Sequence, residues 1–135
     1  MALKKRRPGL VYPVWEDWHY VGETDEPAFG TNWSNAAASS YPKMAFRLRE
    51  TGIVDLVGCV TKSATGSSYV FTLPAGYRPL DAVGMMPYIR SRSSINSGQL
   101  LVVNVSGEVI PLDGVTPGDI DYISGSFFLD SADAI

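Results

Sequence analysis

The sequence predicts an all-β protein, an antiparallel β-sandwich or jelly roll of about seven to nine strands with an irregular amino-terminal extension. Three observations support this class. Apolar and polar residues alternate along several short segments, turn-forming residues separate these segments at intervals of roughly 8–15 residues, and charged residues make up only 19% of the chain. Its 135 residues suffice for one domain. The only helical candidate, Asn35–Ala38, offers a single turn after a Ser34 or Asn35 cap.

The strand pattern is clearest in two neighbouring segments. Ala45–Glu50 places Phe46 and Leu48 on one face and Arg47 and Arg49 on the other. Ile53–Lys62 is rich in β-branched residues, and its Gly58 marks a bulge or a close backbone approach. Further strands are predicted at Tyr69–Leu73, Ala82–Ile89, Gln99–Val105, Glu108–Ile110 and Asp121–Leu129. Pro87 lacks an amide hydrogen, so Ala82–Ile89 is predicted to lie at a sheet edge.

The first 26 residues differ in composition from the rest. Lys4, Lys5, Arg6 and Arg7 supply four of the 11 basic residues, so 7 remain against 14 acidic residues in the rest of the chain. We therefore predict an attachment arm at 1–26 and a β-sandwich head domain at 27–135. The arm suits nucleic acid, an anionic membrane or an acidic protein socket. A protein socket or a solvated terminus is favoured, because nothing downstream supports nucleic-acid binding.

The sequence offers little for catalysis, cofactors or membrane insertion. No apolar run reaches the roughly 20 residues of a membrane span, and no signal peptide is expected. A single cysteine and a single histidine exclude an intramolecular disulfide framework and most zinc sites. Cys59 lies among apolar residues and is interpreted as a buried small side chain. The turn-rich stretch Asp113–Asp121 lacks EF-hand spacing, so a loop is favoured over a calcium site. No enzyme activity, cofactor or metal is predicted.

Two segments resemble the head domains at the carboxy end of bacteriophage tail fibres and receptor-binding proteins. Gly52–Val60 follows the strand pattern G-x-V-x-L-x-G, and the other segment carries L-P-x-G-Y-R-P, here Leu73, Pro74, Gly76, Tyr77, Arg78 and Pro79. Smaller matches lie at Trp33–Asn35, Ser106–Val109 and Ile123–Gly125. The resemblance covers about Pro27 to Leu129. It implies a trimeric β-sandwich of the virion that binds host surface saccharide or caps a fibre.

The L-P-x-G-Y-R-P segment also has a direct physical interpretation. Pro74 is expected at the first corner of a tight turn, with Gly76 near its exit. Tyr77 is expected to pack its ring while its hydroxyl reaches a backbone group. Arg78 is held extended before Pro79, which suits one fixed carboxylate or carbonyl partner. A partner within the protein is favoured over a ligand.

Three surfaces are candidates for binding. Trp15 and Trp18 are expected to pin the arm against a neighbouring subunit or a virion socket. Phe127 and Phe128 point to opposite faces of a strand, so one ring enters the core and the other forms an interface, unless both faces are buried within the monomer. A polar loop region is the candidate ligand site, with Tyr88, Arg90, Arg92 and Asn96.

Two functions remain open from the sequence. The first is a structural virion protein, a homotrimeric head attached to another virion protein through residues 1–26. The second is a carbohydrate-binding module that acts directly on host glycans. A largely helical molecule, or a solvent-lined cleft that gathers His19 with acidic groups, would contradict both.

Overall fold

The computed structural model of the chain describes residues 16–37, 40–49, 52–81, 83–90, 100–112 and 117–129, with the backbone alone at 83–90. These residues form eight antiparallel strands and no helix. The strands are β1 His19–Tyr20, β2 Trp33–Asn35, β3 Ala45–Leu48, β4 Ile53–Lys62, β5 Val83–Arg90, β6 Leu100–Val103, β7 Val109–Pro111 and β8 Ile120–Phe128. The predicted antiparallel all-β class is confirmed.

Strand β4 organises the first layer. One edge of β4 pairs with β8, and the register runs from the pair Ile53–Phe128 to the pair Thr61–Ile120. The other edge of β4 pairs with both β3 and β2. Val54 and its alternate neighbours face the core. At Gly58 an added Cβ would lie 2.7 Å from the backbone nitrogen of Met44, so only glycine fits. The close backbone approach predicted for Gly58 is confirmed.

Strand β5 joins the two layers. Val83–Pro87 pairs with β6, whereas Tyr88–Arg90 pairs with β8. The strand therefore lies inside the sheet, and the predicted edge position is wrong. Pro87 is the last residue of the pairing with β6, and the pairing with β8 begins at Tyr88. Because Pro87 lies at this junction, its missing amide hydrogen does not interrupt the interior of either pairing.

The second layer continues from β6 and β7 to residues 70–73. Val70 N donates to Val109 O at 2.8 Å, and Leu73 N donates to Gly107 O at 2.8 Å. The predicted strand Tyr69–Leu73 is reduced to isolated bridges, because Phe71 pairs with Phe29 and Thr72 pairs with Glu108 on different sides. Both layers face one core, and the arrangement is compatible with a β-sandwich.

Residues from both layers fill a single hydrophobic core. Its members are Val21, Trp33, Met44, Phe46, Val54, Leu56, Val60, Val70, Phe71, Leu73, Leu101, Val103, Val109, Ile123 and Phe127. Phe127 is 5% exposed, whereas Phe128 on the opposite face is 59% exposed. Burial of one such ring contributes about 1.5–3 kcal/mol. The two phenylalanines thus divide between core and surface, and the alternative that both are buried within the monomer is wrong.

The described part of the predicted arm is packed into the domain. His19 pairs with Phe46 and Tyr20 with Ala45 in the β1–β3 ladder. Val21 is 1% exposed in the core. The predicted boundary between residues 26 and 27 therefore falls inside a packed region, and the described residues 16–26 are part of the β fold.

The helical turn predicted after Ser34 is wrong for the residues described. Asn35 ends β2, and Ala36 N extends the pairing by donating to Cys59 O at 2.9 Å. The Asn35 side chain accepts from Met44 N at 2.8 Å instead of capping a helix. Pairing with β4 outweighs the weak helix propensity of the following alanines. Ala38 lies outside the described residues.

Candidate functional site

Three polar side chains surround the only histidine, and we call Glu16, His19, Glu26 and Tyr77 the His19 cluster. The β1–β3 pairing sets the His19 ring against Phe46, with ring centroids 5.0 Å apart and 18° between the planes. Tyr77 meets Phe46 edge-on at 5.1 Å. The cluster is therefore positioned by core packing, with the His19 side chain 30% exposed.

Hydrogen bonds connect the whole cluster. His19 Nδ1 lies 2.9 Å from Glu26 Oε2, and Nε2 lies 3.1 Å from the Tyr77 hydroxyl. That hydroxyl donates to Glu16 Oε1 at 3.0 Å. Glu16 Oε2 accepts from the Leu48 amide at 2.7 Å. The chain of contacts thus runs from the turn after β1 through the histidine to β3.

The electrostatics of the cluster favour a charged histidine. Burial opposes this, but hydrogen bonds and charge from Glu26 and Glu16 raise the pKa of His19 above 6.5. Burial and the nearby Glu16 carboxylate raise the pKa of Tyr77 to about 12. Tyr77 therefore keeps its proton at physiological pH.

This cluster borders a cavity of about 470 Å³, which Asp25, Thr72 and Arg78 also line. His19 thus meets acidic groups beside solvent, the arrangement named above as contrary to both functions that the sequence leaves open. The polar groups of the cluster are bonded to one another. Both ring nitrogens have partners, and the Tyr77 hydroxyl is held protonated.

The motif Leu73–Pro79 forms the turn that carries Tyr77. Tyr77 N donates to Pro74 O at 3.1 Å, and Gly76 has a positive φ of 96°. Pro74 therefore occupies the position before the first corner, which corrects the predicted placement, while Gly76 takes the corner that requires positive φ. The Tyr77 hydroxyl reaches the Glu16 side chain and not the expected backbone group.

The rest of the motif is structural. Arg78 Nε donates to Leu73 O at 2.8 Å, so its fixed partner is a carbonyl within the chain, as predicted. Leu73 is fully buried and Pro79 is buried. These contacts hold the turn against the second layer and so keep Tyr77 beside Glu16.

A second polar group lies on the outer face of the first layer. Asp55, 7% exposed, accepts from Arg49 Nη2 at 2.7 Å, Ser126 Oγ at 2.6 Å and Arg47 Nε at 3.2 Å. Burial alone would raise the pKa of Asp55, but these hydrogen bonds lower it below 3.8. The Arg47 guanidinium also lies 4.2 Å from the centroid of the Trp18 ring. Trp18 is thereby pinned against its own domain.

Beside Trp18 is a depression of about 520 Å³, which we call the aromatic cleft. It is lined by Trp18, Tyr20, Glu23, Pro42, Lys43, Ala45 and Val57. Tyr20 is 37% exposed, and Lys43 Nζ and Glu23 Oε2 lie 3.9 Å apart at the rim. Ring faces combined with a polar rim suit a ligand that has both C–H surfaces and hydroxyl groups.

The predicted ligand site is only partly covered by the structure. The backbone of Tyr88 pairs with Ile123 and that of Arg90 with Asp121, so both residues stand in strand β5. Arg92 and Asn96 lie outside the described residues, as do Trp15 and the basic run 4–7. Phe127 is buried and offers no interface, while Phe128 remains exposed.

Metal and membrane features are absent from the parts of the chain that the structure describes. There, no group of three or more His, Cys, Asp or Glu side chains is arranged to hold a metal ion. No helix long and apolar enough to cross a membrane occurs in these segments. Cys59 is buried, as predicted, and burial raises the pKa of its thiol.

Sequence reasoning missed the His19 cluster. Tyr77 lies 58 residues from His19, and no local pattern joins them. The Asp55 group did carry a signal, because Arg47 and Arg49 share one face of a strand that a tight turn connects to the strand containing Asp55.

Comparison with protein-family models, curated proteins and solved structures finds no match to this chain.

Proposed function

We propose that the chain is a bacteriophage structural protein, a self-associating β-sandwich head of a tail fibre, spike or capsid fibre. In this proposal the amino-terminal arm docks the head to another virion protein, and the head contributes to host-surface attachment. The L-P-x-G-Y-R-P resemblance and the antiparallel all-β fold support it. The observation that carries it is the 3.0 Å hydrogen bond from Tyr77, in the motif, to Glu16, which lies within the predicted arm at 1–26.

An arm that carries a head needs a firm attachment to that head. Three sets of contacts supply it here. Strand β1 pairs with β3, Trp18 packs against Arg47, and Glu16 binds both Tyr77 and the Leu48 amide. The described chain is therefore fixed to the sheet from Glu16 onward.

The proposal assigns a structural role, without catalysis, to the His19 cluster. Its donors and acceptors are used within the chain, and Tyr77 retains its proton. A recognition-and-assembly protein needs such a cluster only to hold its own segments together.

The arm is tested in particles of the phage that encodes the chain. Lys4, Lys5, Arg6 and Arg7 are replaced together by alanine in the full-length chain, with Lys43→Ala, whose side chain is 64% exposed, as the charge control. Immunoblots of purified particles are expected to contain the wild type and Lys43→Ala but to lose the arm variant. Circular dichroism and Tm should be equal for all three. Particles without the wild-type chain would overturn the proposal, and normal incorporation of the arm variant would overturn the role of the arm.

The aromatic cleft favours a second candidate function, direct recognition of host glycans. Stacking of a sugar ring on Tyr20 would contribute to binding. When several copies are displayed together, the apparent affinity of a weak site increases about 10²–10⁴-fold through avidity. A glycan array with multivalent protein tests this. Tyr20→Ala should abolish binding and Tyr41→Ala should not, since both tyrosines are 37% exposed and Tyr41 does not line the cleft. Loss in Arg92→Ala instead would place the site in the predicted loop, and no wild-type binding would remove this candidate.

A further inference from the structure

The contacts around His19 come from every element packed against it. Glu16 approaches from the chain before β1, and Asp25 and Glu26 from the turn after it. β3 contributes the Phe46 ring and the Leu48 amide, which binds Glu16. The turn after Leu73 contributes Tyr77 and Arg78, whose Nε is already bonded to Leu73 O. The charged neighbours are therefore three carboxylates and one guanidinium.

With His19 protonated, every hydrogen bond in the cluster has a donor. Nδ1–H donates to Glu26, and Nε2–H donates to the Tyr77 oxygen. The Tyr77 hydroxyl is then free to donate to Glu16 Oε1, while Glu16 Oε2 accepts from Leu48 N. The 3.4 Å approach of Nε2 to Glu16 Oε2 is then an attraction between opposite charges.

With His19 neutral, one proton is missing. Nδ1–H still donates to Glu26, but Nε2 becomes an acceptor. The single hydroxyl proton of Tyr77 then faces two acceptors, His19 Nε2 at 3.1 Å and Glu16 Oε1 at 3.0 Å. One of them loses its donor, and the charge attraction to Glu16 disappears at the same time.

We propose that the His19 cluster is a pH-sensitive latch, in which protonated His19 fastens Glu16, and with it residues 16–20, to the β domain, and loss of that proton loosens the segment. This goes beyond the proposed function, since it concerns how firmly the described start of the chain is held whatever the arm binds. Acidic conditions close the latch, and alkaline conditions open it.

The experiment follows the imidazole and one amide in the same NMR titration. His19 is the only histidine, so its ring signals are unambiguous. The Leu48 amide reports on Glu16 directly, and the Val70 amide, bonded to Val109 in the second layer, is the internal reference. After correction for intrinsic exchange, we expect the protection factor of Leu48 to fall about tenfold as His19 loses its proton, as loss of one charge-assisted hydrogen bond implies. Val70 should not change.

Variants separate the latch from general loosening. His19→Gln should give a Leu48 protection factor that is low and independent of pH. Tyr77→Phe keeps the ring packing and should lower Leu48 protection most at acidic pH, and it serves as the second variant if His19→Gln fails to fold. Asp81→Asn, at an exposed carboxylate outside the cluster and the aromatic cleft, should behave as the wild type. Leu48 protection that stays constant through the His19 titration, or that changes with pH in His19→Gln as in the wild type, would overturn the latch.

Discussion

Asp55 is held in its charged form against the cost of burial. It is 7% exposed, yet two arginines and Ser126 donate to it. Removal of the charge leaves those donors with a weaker acceptor in a largely buried place. We expect Asp55→Asn to lower the free energy of unfolding by about 1–3 kcal/mol at pH 7 in urea denaturation. The exposed Asp81→Asn should change it little, and equal effects of the two substitutions would contradict this account.

Asp55 and His19 contribute to stability in opposite directions as the pH changes. The pKa of Asp55 is lowered in the folded state, so its contribution is present above 3.8 and is lost as the pH falls through the folded pKa. The pKa of His19 is raised, so its contribution is complete below 6.5 and is lost as the pH rises through the folded pKa. Urea unfolding measured across the pH range is expected to show that Asp55 and His19 together add most to the free energy of unfolding between pH 3.8 and 6.5. In His19→Gln the free energy of unfolding should decline less steeply as the pH rises. An unchanged dependence on pH would contradict the contribution assigned to His19.

Among the strands, β4 carries the strictest steric requirement. A Cβ at Gly58 would meet the Met44 backbone, whereas a Cβ at Gly76 meets nothing within 4 Å and suffers only from the positive φ of 96°. We expect Gly58→Ala to cost about 2–4 kcal/mol, because backbone must shift, and Gly76→Ala about 1–2 kcal/mol. Chemical denaturation of both variants gives the comparison. A Gly58→Ala variant no worse than Gly76→Ala would show that β3 and β4 can move apart.

The predictability of each strand follows from its length and partners. Ile53–Lys62 is predicted with its observed bounds, because this long strand at the centre of the sheet is mostly apolar and rich in β-branched residues. β1 and β2 are too short to show alternation, so nothing in their composition separates them from loop. Tyr69–Leu73 has the alternation of a strand, but its partners change at successive residues, which only the tertiary fold decides.

At the scale of the whole molecule, the proposed trimer requires an apolar contact surface. Phe128 is 59% exposed and Leu80 is 64% exposed, and Leu80 N bonds to the carbonyl of Leu129, the residue after Phe128. Light scattering at micromolar concentration is expected to give the mass of a trimer. Phe128→Ser should shift the mass toward the monomer, and Val105→Ser, 54% exposed in a turn, should not. A monomeric wild type would contradict self-association.

The candidate sites were less accessible to prediction than the fold. The sequence pattern indicates that Phe127 and Phe128 face opposite sides of the sheet, since this follows from strand geometry alone. It did not indicate that Glu16 and Tyr77 would meet, because that contact depends on β1 pairing with β3 and on the turn at Gly76. The packing of residues 16–26 into the domain could not be predicted from the sequence for the same reason.

Successive side chains of residues 18–21 point to opposite sides of the chain, so they lie in two different environments. Trp18 and Tyr20 border the aromatic cleft, while His19 and Val21 turn toward the inner side. A molecule bound in the cleft and a proton bound to His19 would therefore both favour the same docked arrangement of four residues. Thermodynamic reciprocity then requires that each increase the affinity for the other by the same factor, so that a ligand of the cleft would bind more tightly at acidic pH.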